Sequence, residues 1–396
     1  MIRQYSFENF YSFLEETEVS LLANKQVPDS NNLMTLADGD RVAKVMVVLG
    51  HNASGKTKLL MPLVFMSWFI SHSFRAEPDS PIPFETHLAS DSKVMTCDVE
   101  FSLPDEHGSE DIYRYELETA QTHVIREALY VKDKRFKYVF IREWDKKTKQ
   151  YNVKQQGFGF KATEAKKVRK NASLIATAAQ YSVPFAIKLT LAAYKVFANV
   201  TVGGKRHLDD KLLGESTDFY HSNNFFLKKL NTYIKRLDFG IEQISIKKIA
   251  LPDGGKRLMP VCHHQSKGNN FSLSLNSESS GTRGVYSILR YILPVLEYGG
   301  IAVLDEMESE LHPQMAIEIM RLFTDTETNP YNAQLLIATH SLEVLHYVEK
   351  NQIYLVEKND CASEAWRLDE MKGVRRDDNI YAHYLAGAYG AVAKFN

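Results

Sequence analysis

The chain has 396 residues, of which 44% are hydrophobic, 11% aromatic and 24% charged. This composition is ordinary for a globular chain of two or three domains, and it excludes a mostly disordered or collagen-like protein. Because 48 Lys and Arg residues face 49 Asp and Glu residues, the formal net charge is −1. That balance excludes a globally basic nucleic-acid binder but leaves room for a local basic patch.

Cysteine usage and hydropathy point to a reducing compartment away from membranes. Cys97, Cys262 and Cys361 lie far apart without a CxxC pair, which indicates neither a disulfide framework nor a zinc site. The most apolar stretch, residues 59–70, is too short to span a bilayer, and the first ten residues lack a long apolar core. We therefore expect a cytoplasmic protein without a membrane contact.

The first fifty residues are predicted to form strands. Residues 2–10 alternate, residues 18–23 form a second short strand, and residues 44–50 (KVMVVLG) are apolar as in a fully buried strand. An apolar helix is predicted over residues 58–74, with Pro62 in its first turns, where proline is best tolerated. A loop rich in Pro, Ser and Asp follows at residues 75–92.

Residues 93–155 contain five short alternating runs separated by turn residues, a pattern typical of an antiparallel meander. The spacing becomes helical over 161–239, and after Ile241 strands return and alternate with helices, as in the βαβ units of a parallel sheet. We therefore predict an α/β fold. Its core would be formed by residues 1–160 and 240–396, with a helical insertion at 161–239.

The segment between the buried strand and the apolar helix, GHNASGKT, fits the phosphate-loop pattern G-x-x-x-x-G-K-[ST] in the context that the pattern requires. The backbone N–H groups of such a loop and the helix N-terminus attract phosphates. Lys56 is predicted to contact the β- and γ-phosphate oxygens, and the Thr57 hydroxyl to ligate Mg²⁺. The other nucleotide-binding residues predicted here are Gly50, Asn52, Ala53, Ser54 and Gly55.

A second predicted strand, residues 300–306 (GIAVLDE), ends in two carboxylates. Asp305 is expected to hold Mg²⁺, and Glu306 is expected to be the general base that polarises the attacking water. The alternative is two solvated carboxylates that open the next helix, where acidic residues favour the macrodipole. Downstream, the strand in AQLLIATHS presents His340, which in its neutral form could hydrogen-bond the γ-phosphate or that water.

Residues 278–283 (ESSGTR) precede a long apolar helix and are predicted to form a second anion-binding site. The alternative is a simple helix N-cap, for which Ser and Thr are preferred. Since the chain already has one phosphate loop, a second site would serve the nucleotide of another subunit.

These segments, with SELHP at 309–313, resemble in order the Walker A, signature, Walker B, D-loop and H-loop motifs of ABC-type ATPases. Among these, the chain is most similar to the SMC/RecF/OLD-like AAA-family proteins of bacterial defence loci, although residues 85–240 carry little of the resemblance. The signature departs from LSGGQ at Glu278 and Thr282 but keeps Ser279 and Gly281.

The resemblance implies an ABC-ATPase-like head that binds ATP and Mg²⁺ in head-to-tail sandwich dimers. Lys56 and Asp305 of one protomer would hold the ATP, and Ser279 and Gly281 of the other would cap it. Gln180 is the candidate for the family's Q-loop glutamine, which would contact the metal.

Two features that we do not find in the sequence distinguish this chain from some members of the ABC-type group. The 222 residues between Lys56 and Ser279 contain no heptad repeat, unlike long-armed chromosome ATPases. An OLD-type nuclease would need a TOPRIM domain after His340, and we expect none in the 56 residues that follow it here. This layout is similar to that of the ATPase subunit of PARIS-type anti-phage systems, which is paired with a separate TOPRIM toxin.

The resemblance implies an ATP-driven sensor or scaffold that holds and releases a separate nuclease effector. The alternative is a RecF-like DNA-binding repair ATPase. A metabolic or transport subunit is disfavoured by the large central insertion.

A basic segment, residues 131–170, has 14 Lys and Arg residues against 4 Asp and Glu residues, a local charge of +10. It is either a solvated surface or a docking surface for a polyanion, which could be nucleic acid or an acidic protein such as a phage trigger. Tyr138, Phe140 and Trp144 interleave the charges, which suits a partner interface as well as base stacking.

Overall fold

The computed structural model describes residues 1–104, 110–237, 240–250, 255–309, 311–375 and 378–392. Five strands open the chain, and the last of them leads through the glycine-rich loop into a helix in which Pro62 is buried in the second turn. These elements are β1 (Ile2–Glu8), β2 (Thr17–Ser20), β3 (Leu33–Thr35), β4 (Arg41–Ala43), β5 (Val45–Leu49) and α1 (Lys56–His72). The small β3–β4 hairpin was not predicted.

The predicted meander is present and extends the N-terminal strands into one antiparallel sheet. Its strands are β6 (Val94–Pro104), β7 (Glu110–Ala120), β8 (His123–Lys132), β9 (Phe136–Asp145) and β10 (Gln150–Gln155). The sheet has seven strands in the order β10-β9-β8-β7-β6-β1-β2. Alternate residues of β7, such as Tyr115 and Leu117, are buried and share a core with Phe65 and Phe69 of α1. One face of the sheet therefore covers the helix that follows the glycine-rich loop.

The segment predicted to be a helical insertion also contains short strands. Its elements are α2 (Ala162–Ala165), α3 (Leu174–Gln180), α4 (Pro184–Ala193), β11 (Val196–Ala198), β12 (Val200–Thr201), β13 (Gly204–Lys205), α5 (Asp210–Ser222) and α6 (Asn224–Arg236). Strand β11 pairs in parallel with the strand Ile301–Asp305, so it belongs to the central sheet and not to a helical unit. The strand is too short for its alternation to stand out against the helices on either side.

The prediction that strands and helices alternate directly after Ile241 was wrong for the first 34 residues of that region. Strands β14 (Ile241–Ala250), β15 (Lys256–Ser266) and β16 (Asn269–Ser274) form a separate antiparallel sheet. Lys267 and Gly268 connect the last two strands, both with positive φ (48° and 81°). A two-residue connection of this kind permits only an antiparallel hairpin.

Strand–helix alternation begins at residue 280. It comprises α7 (Ser280–Tyr298), β17 (Ile301–Asp305), α8 (Pro313–Thr324), β18 (Gln334–Ala338), β19 (Ile353–Asn359), β20 (Ala362–Arg367) and α9 (Ile380–Leu385). The second large sheet has the order β11-β17-β18-β5-β19-β20 and is parallel except for β20. The carboxyl ends of β5, β17 and β18 therefore meet at one edge, where ligands bind in open α/β sheets.

The parallel sheet is buried on both faces, and it separates two hydrophobic cores. Met46 and Val48 of β5 face the core shared with the seven-stranded sheet. Val45, Val47 and Leu49 face a core built with α5 to α8. The predicted α/β class, with a parallel phosphate-loop sheet, a meander and a helical segment, is confirmed, while the domain boundaries stay a prediction.

None of the helices in the described ranges is by itself long and apolar enough to cross a membrane. The sharply bent pair α3 and α4 meets the length and composition criteria only when its two helices are taken together.

Candidate active site

The glycine-rich loop, residues 50–55, packs closely against β19 and β20. A Cβ atom on Gly50 would lie 2.3 Å from the carbonyl oxygen of Val356, and one on Gly55 would lie 2.4 Å from Ser363 Oγ. Gly55 has a φ of 115°, and Ala53 also lies in the left-handed region at 61°. Ser54 is buried, and its hydroxyl finds no hydrogen-bond partner among the described residues. Phosphate binding by backbone N–H groups requires a tight loop, and the loop at 50–55 is tight in this sense.

Lys56 is the first residue of α1 and is only 5% exposed. Its ammonium group donates to the carbonyl oxygens of Gly50 at 3.0 Å and His51 at 3.1 Å. Burial lowers the pKa of Lys56, and the carboxylates of Asp305 and Glu306 act in the opposite direction. The charge of Lys56 is therefore held at the loop. The other predicted loop residue, Asn52, is exposed.

Asp305 is the buried last residue of β17 and faces Thr57. Its Oδ2 accepts a hydrogen bond from Thr57 Oγ1 at 2.7 Å, whereas its buried Oδ1 has no hydrogen-bond partner among the described residues. Burial raises the pKa of Asp305 despite the bond from Thr57. An unpartnered carboxylate oxygen beside a hydroxyl oxygen fits Mg²⁺, which binds oxygen ligands and needs few from the protein when phosphates supply the others.

Glu306 has an unusual backbone conformation, with a φ of 46°, and its carboxylate lies between two nitrogen-bearing side chains. Its Oε2 is 3.3 Å from Lys205 Nζ, and its Oε1 is 3.6 Å from His340 Nε2. Burial alone would raise the pKa of Glu306, but the Lys205 ammonium, together with His340 and Lys56, outweighs burial and lowers the pKa of Glu306. Glu306 is therefore ionised near neutral pH, as a general base must be.

His340 follows β18, and its backbone is held by the carboxylate of Glu308, a residue for which the sequence predicted no role. Glu308 accepts hydrogen bonds from the His340 backbone N–H and, at 2.7 Å, from Thr339 Oγ1. Burial and the Lys56 charge lower the pKa of His340 below its ordinary value of 6.5, so the imidazole is neutral at pH 7. The structure thus brings Lys56, Thr57, Asp305, Glu306 and His340 to one edge of the sheet.

Ser279 and Gly281 lie at the N-terminus of α7. Ser279 is exposed and caps this helix, since its Oγ accepts from the Thr282 N–H at 3.1 Å. The preceding Glu278 pairs with His264 of β15 at 2.8 Å. The contacts of Ser279 are therefore with its own helix and not with the phosphate loop. Its role in a partner's site stays a prediction. In the SELHP segment at 309–313, Glu310 lies outside the described residues.

The structure places Gln180 at the exposed end of α3, and the hydrogen bonds around Asp305 involve a different amide. Asn199 Nδ2 donates to the Asp305 carbonyl oxygen at 3.0 Å, and Asn199 Oδ1 accepts from the Asp305 N–H at 2.8 Å. Asn199 directly follows β11, which the sequence did not reveal as a strand. Lys205 was missed as well, because a single lysine after a glycine turn matches no motif.

An open cavity of about 590 Å³ lies beside the phosphate loop. The cavity is lined by residues of the loop, by Glu306 and by Tyr11, Glu85, His87, Leu88, Lys358 and Cys361. Its volume is within the range of small-molecule sites in proteins, about 300–1,000 Å³. We call this cavity the nucleotide groove.

The basic segment 131–170 lies along the β10 edge of the seven-stranded sheet, where a second cavity of about 320 Å³ is lined by Trp144 and residues 166–170. Its exposed cations include Lys146, Lys147, Lys149, Lys166 and Lys167. Lys170 lies 4.9 Å from the centre of the half-buried Trp144 ring, and Phe140 is fully buried. Of the three aromatic residues that the sequence suggested for base stacking, Phe140 is covered, whereas Tyr138 and Trp144 are partly exposed.

Two further cations of this segment are committed to the fold. Arg142 is fully buried, pairs with Glu127 at 3.2 Å and donates to the Ala172 carbonyl oxygen at 2.7 Å. Arg169 donates to the carbonyl oxygens of Phe74 and Ala76. The charge available to a partner is therefore smaller than the sequence count suggests.

Residues 45–346 match a family model described as "AAA domain, putative AbiEii toxin, Type IV TA system". No curated protein matches the chain.

Similar solved structures include an Smc head bound to the C-terminal winged-helix domain of ScpA, with 11% sequence identity and a TM-score of 0.47. That match covers 93% of this chain and 99% of the other. The Smc head with an extended coiled coil and a ScpA domain from Pyrococcus furiosus has 11% identity, 93% and 97% coverage and a TM-score of 0.43. RecF with ATP has 12% identity, 92% and 97% coverage and a TM-score of 0.35.

Proposed function

The chain belongs to the AAA domain family of the AbiEii-toxin type, and from this premise we propose that it is a Mg²⁺-dependent ATPase. One observation carries the proposal. The phosphate-loop residues Lys56 and Thr57 meet the carboxylates of Asp305 and Glu306 at the carboxyl edge of a parallel sheet. Two carboxylates with opposite pKa shifts beside a phosphate loop suit a metal ligand and a general base.

Phosphate binding is assigned to the loop and to Lys56. Backbone N–H groups of residues 50–57 would donate to the phosphates, and Lys56 would exchange its bonds to the Gly50 and His51 carbonyl oxygens for phosphate oxygens. Thr57 and Asp305 would hold Mg²⁺, which when bound neutralises charge on the β- and γ-phosphates.

Hydrolysis is assigned to Glu306 and His340. The ionised Glu306 carboxylate would accept a proton from the attacking water, and the neutral His340 imidazole would orient that water or contact the γ-phosphate. In a head-to-tail dimer, Ser279 and Gly281 of the partner would cap the nucleotide. The exposure of Ser279 and Ser280 at the α7 N-terminus supports this arrangement, because a helix N-terminus at the surface attracts phosphates.

We further propose that this ATPase is the sensor and scaffold of an anti-phage system of the toxin–antitoxin kind, similar to PARIS. It would hold a separate TOPRIM-type nuclease and release it on a phage cue. The family description, which names a toxin of a type IV system, supports this setting. The exposed lysines near β10 would dock an acidic trigger or effector.

The second candidate is a RecF-like repair ATPase. The same lysines favour it, since they could bind DNA phosphates. A TOPRIM nuclease encoded beside this chain would favour the first candidate.

Replacing Lys56 with Ala tests the ATPase assignment. We expect nucleotide affinity to fall by about 10- to 100-fold, because charged hydrogen bonds contribute roughly 1.5–3 kcal/mol. Titration with a fluorescent ATP analogue measures the change. Lys211→Ala, on the exposed surface of α5, is the matched control and should bind as wild type. Unchanged affinity in the Lys56 variant would contradict the assignment.

A further inference from the structure

The hairpin formed by β12 and β13 carries Lys205 to the turn that contains Glu306. Lys205 Nζ lies 3.2 Å from the Glu306 carbonyl oxygen, 3.3 Å from Glu306 Oε2 and 2.5 Å from Ser309 Oγ. The Lys205 side chain is only 9% exposed. One buried ammonium group therefore contacts the backbone and the carboxylate of Glu306, and also the end of the same turn.

This turn needs support, because Glu306 is in the left-handed region with a φ of 46°. Residues with side chains rarely adopt this conformation unless neighbouring groups hold it. The Glu306 N–H donates to the Ala338 carbonyl oxygen at 2.8 Å. The Glu306 carbonyl oxygen accepts from Lys205 Nζ at 3.2 Å and also from the Ser309 N–H and hydroxyl, at 3.1 and 2.9 Å, so among these donors it is Lys205 that also contacts the Glu306 carboxylate. Without Lys205, the turn would lose the contact that holds both the carbonyl and the carboxylate.

The same hairpin is connected to the nucleotide groove and to the metal-binding aspartate. The Tyr11 hydroxyl, which lines the groove, donates to the Val202 carbonyl oxygen at 2.7 Å. At the base of the hairpin, the Arg206 N–H donates to the carbonyl oxygen of Asn199 at 2.7 Å. Asn199 in turn holds the Asp305 main chain. The position of Lys205 is thus fixed relative to both the groove and Asp305.

We infer that Lys205 is a positioning residue for ATP hydrolysis, which holds the Glu306 carboxylate and its turn in the orientation needed to activate water. This inference rests on the proposed role of Glu306 as general base. Lys205 has no hydrogen bond to Lys56 or Thr57, and its charge acts on Asp305 only from a distance, so its removal is expected to affect turnover more than nucleotide binding.

The test compares Lys205→Ala with Lys205→Arg and with the matched control Lys211→Ala. We expect kcat for ATP hydrolysis to fall by about 10²-fold in Lys205→Ala, since misplacing a reacting group by 1 Å costs this much. The KM and the Kd for ATP should stay within about twofold of wild type because the phosphate contacts remain. Lys205→Arg should recover part of kcat, and Lys211→Ala should equal wild type.

A double-mutant cycle decides whether Lys205 acts through Glu306. If it does, adding Lys205→Ala to Glu306→Gln should change single-turnover hydrolysis by less than about twofold, because the two effects are not independent. Equal losses in kcat and ATP affinity, or additive losses in the double variant, would overturn the inference. Wild-type turnover in Lys205→Ala with an inactive Glu306→Gln would do the same. Wild-type turnover in Glu306→Gln would instead refute the proposed function.

Discussion

Asp305 and Glu306 are neighbours in the chain, yet their side chains have different surroundings. Asp305 is 1% exposed, and burial raises its pKa, whereas the Lys205 ammonium lowers the pKa of Glu306. The left-handed backbone at Glu306 turns the second carboxylate away from the strand direction. Two adjacent acidic residues can therefore perform different tasks, one as an oxygen ligand and the other as a base.

Replacing Gly50 with Ala tests how closely the phosphate loop is packed. The added Cβ would lie 2.3 Å from the Val356 carbonyl oxygen, and a backbone atom of a central strand cannot move away easily. We expect a lower melting temperature and weaker ATP binding, measured by thermal unfolding with and without ATP.

Gly214→Ala is the matched control for this substitution. Gly214 lies inside α5, and its added Cβ would meet nothing within 4 Å. Because alanine favours helices, this variant should gain about 0.5–1 kcal/mol of stability. A Gly50 variant as stable and as tight in ATP binding as wild type would contradict the packing argument.

The sequence predicted the residues of the catalytic edge that belong to a contiguous pattern. The phosphate loop and the Asp305–Glu306 pair each directly follow or end an apolar strand, and both can be read as short continuous motifs. Asn199 and Lys205 could not be found in this way, because they reach the edge through the pairing of β11 with β17. Gln180 was assigned from the family resemblance of the segment that ends there, and its contact with a metal stays a prediction, while the structure places Asn199 against Asp305.

At the scale of secondary structure elements, a buried ionic network joins the seven-stranded sheet to the segment before α3. Glu127 of β8 pairs with Arg142 of β9 and accepts hydrogen bonds from Tyr115 Oη at 2.9 Å and Ser173 Oγ at 2.7 Å. Removing one partner of such a pair typically costs about 3–5 kcal/mol. Part of the positive charge that the sequence shows in this region therefore stabilises the fold.

Charge reversal of the remaining lysines tests the docking surface. Replacing five exposed residues with Glu changes the local charge from +10 to 0, and these residues are Lys146, Lys147, Lys149, Lys166 and Lys167. Arg169 is kept because it binds two carbonyl oxygens. We expect basal ATP hydrolysis near wild type, together with weaker and less salt-dependent binding of acidic partners.

The matched control reverses five exposed cations on the small antiparallel sheet, namely Lys247, Lys248, Lys256, Arg257 and Lys267. Binding of the nuclease partner and of duplex DNA is measured for both variants across a salt series. The sensor proposal expects a lost phage response with ATP hydrolysis retained, and the repair proposal expects lost DNA binding. Normal phage response and partner binding in the first variant would show that this surface is only solvated.

The meander could be predicted because its alternation is long and regular, and the helix after the phosphate loop because its apolar run is long and follows that motif directly. The β14–β16 sheet was mistaken for the start of a parallel arrangement, since pairing partners depend on connections and not on strand patterns. Strand β11 has three residues, which is too few for a period to be recognised. Both errors concern tertiary pairing, which local sequence does not encode.

At the scale of the whole molecule, the parallel sheet separates two cores and exposes its catalytic edge. The phosphate loop lies at this edge, while Ser279 caps a helix that contributes to the second core. Within one chain, these two parts do not contact each other through Ser279. In the proposed head-to-tail dimer, Ser279 of a second protomer would complete the site, and nucleotide binding would then be coupled to assembly.

Glu306→Gln tests the central claim most directly, because the amide keeps the shape of the side chain and loses the base. ATP affinity should equal that of wild type, and hydrolysis should fall by about 10²- to 10⁴-fold. Light scattering with ATP and Mg²⁺ should report a trapped species of about twice the 45.2 kDa chain mass. Near-normal turnover would contradict the account and would indicate that another residue, with His340 the first candidate, activates the water.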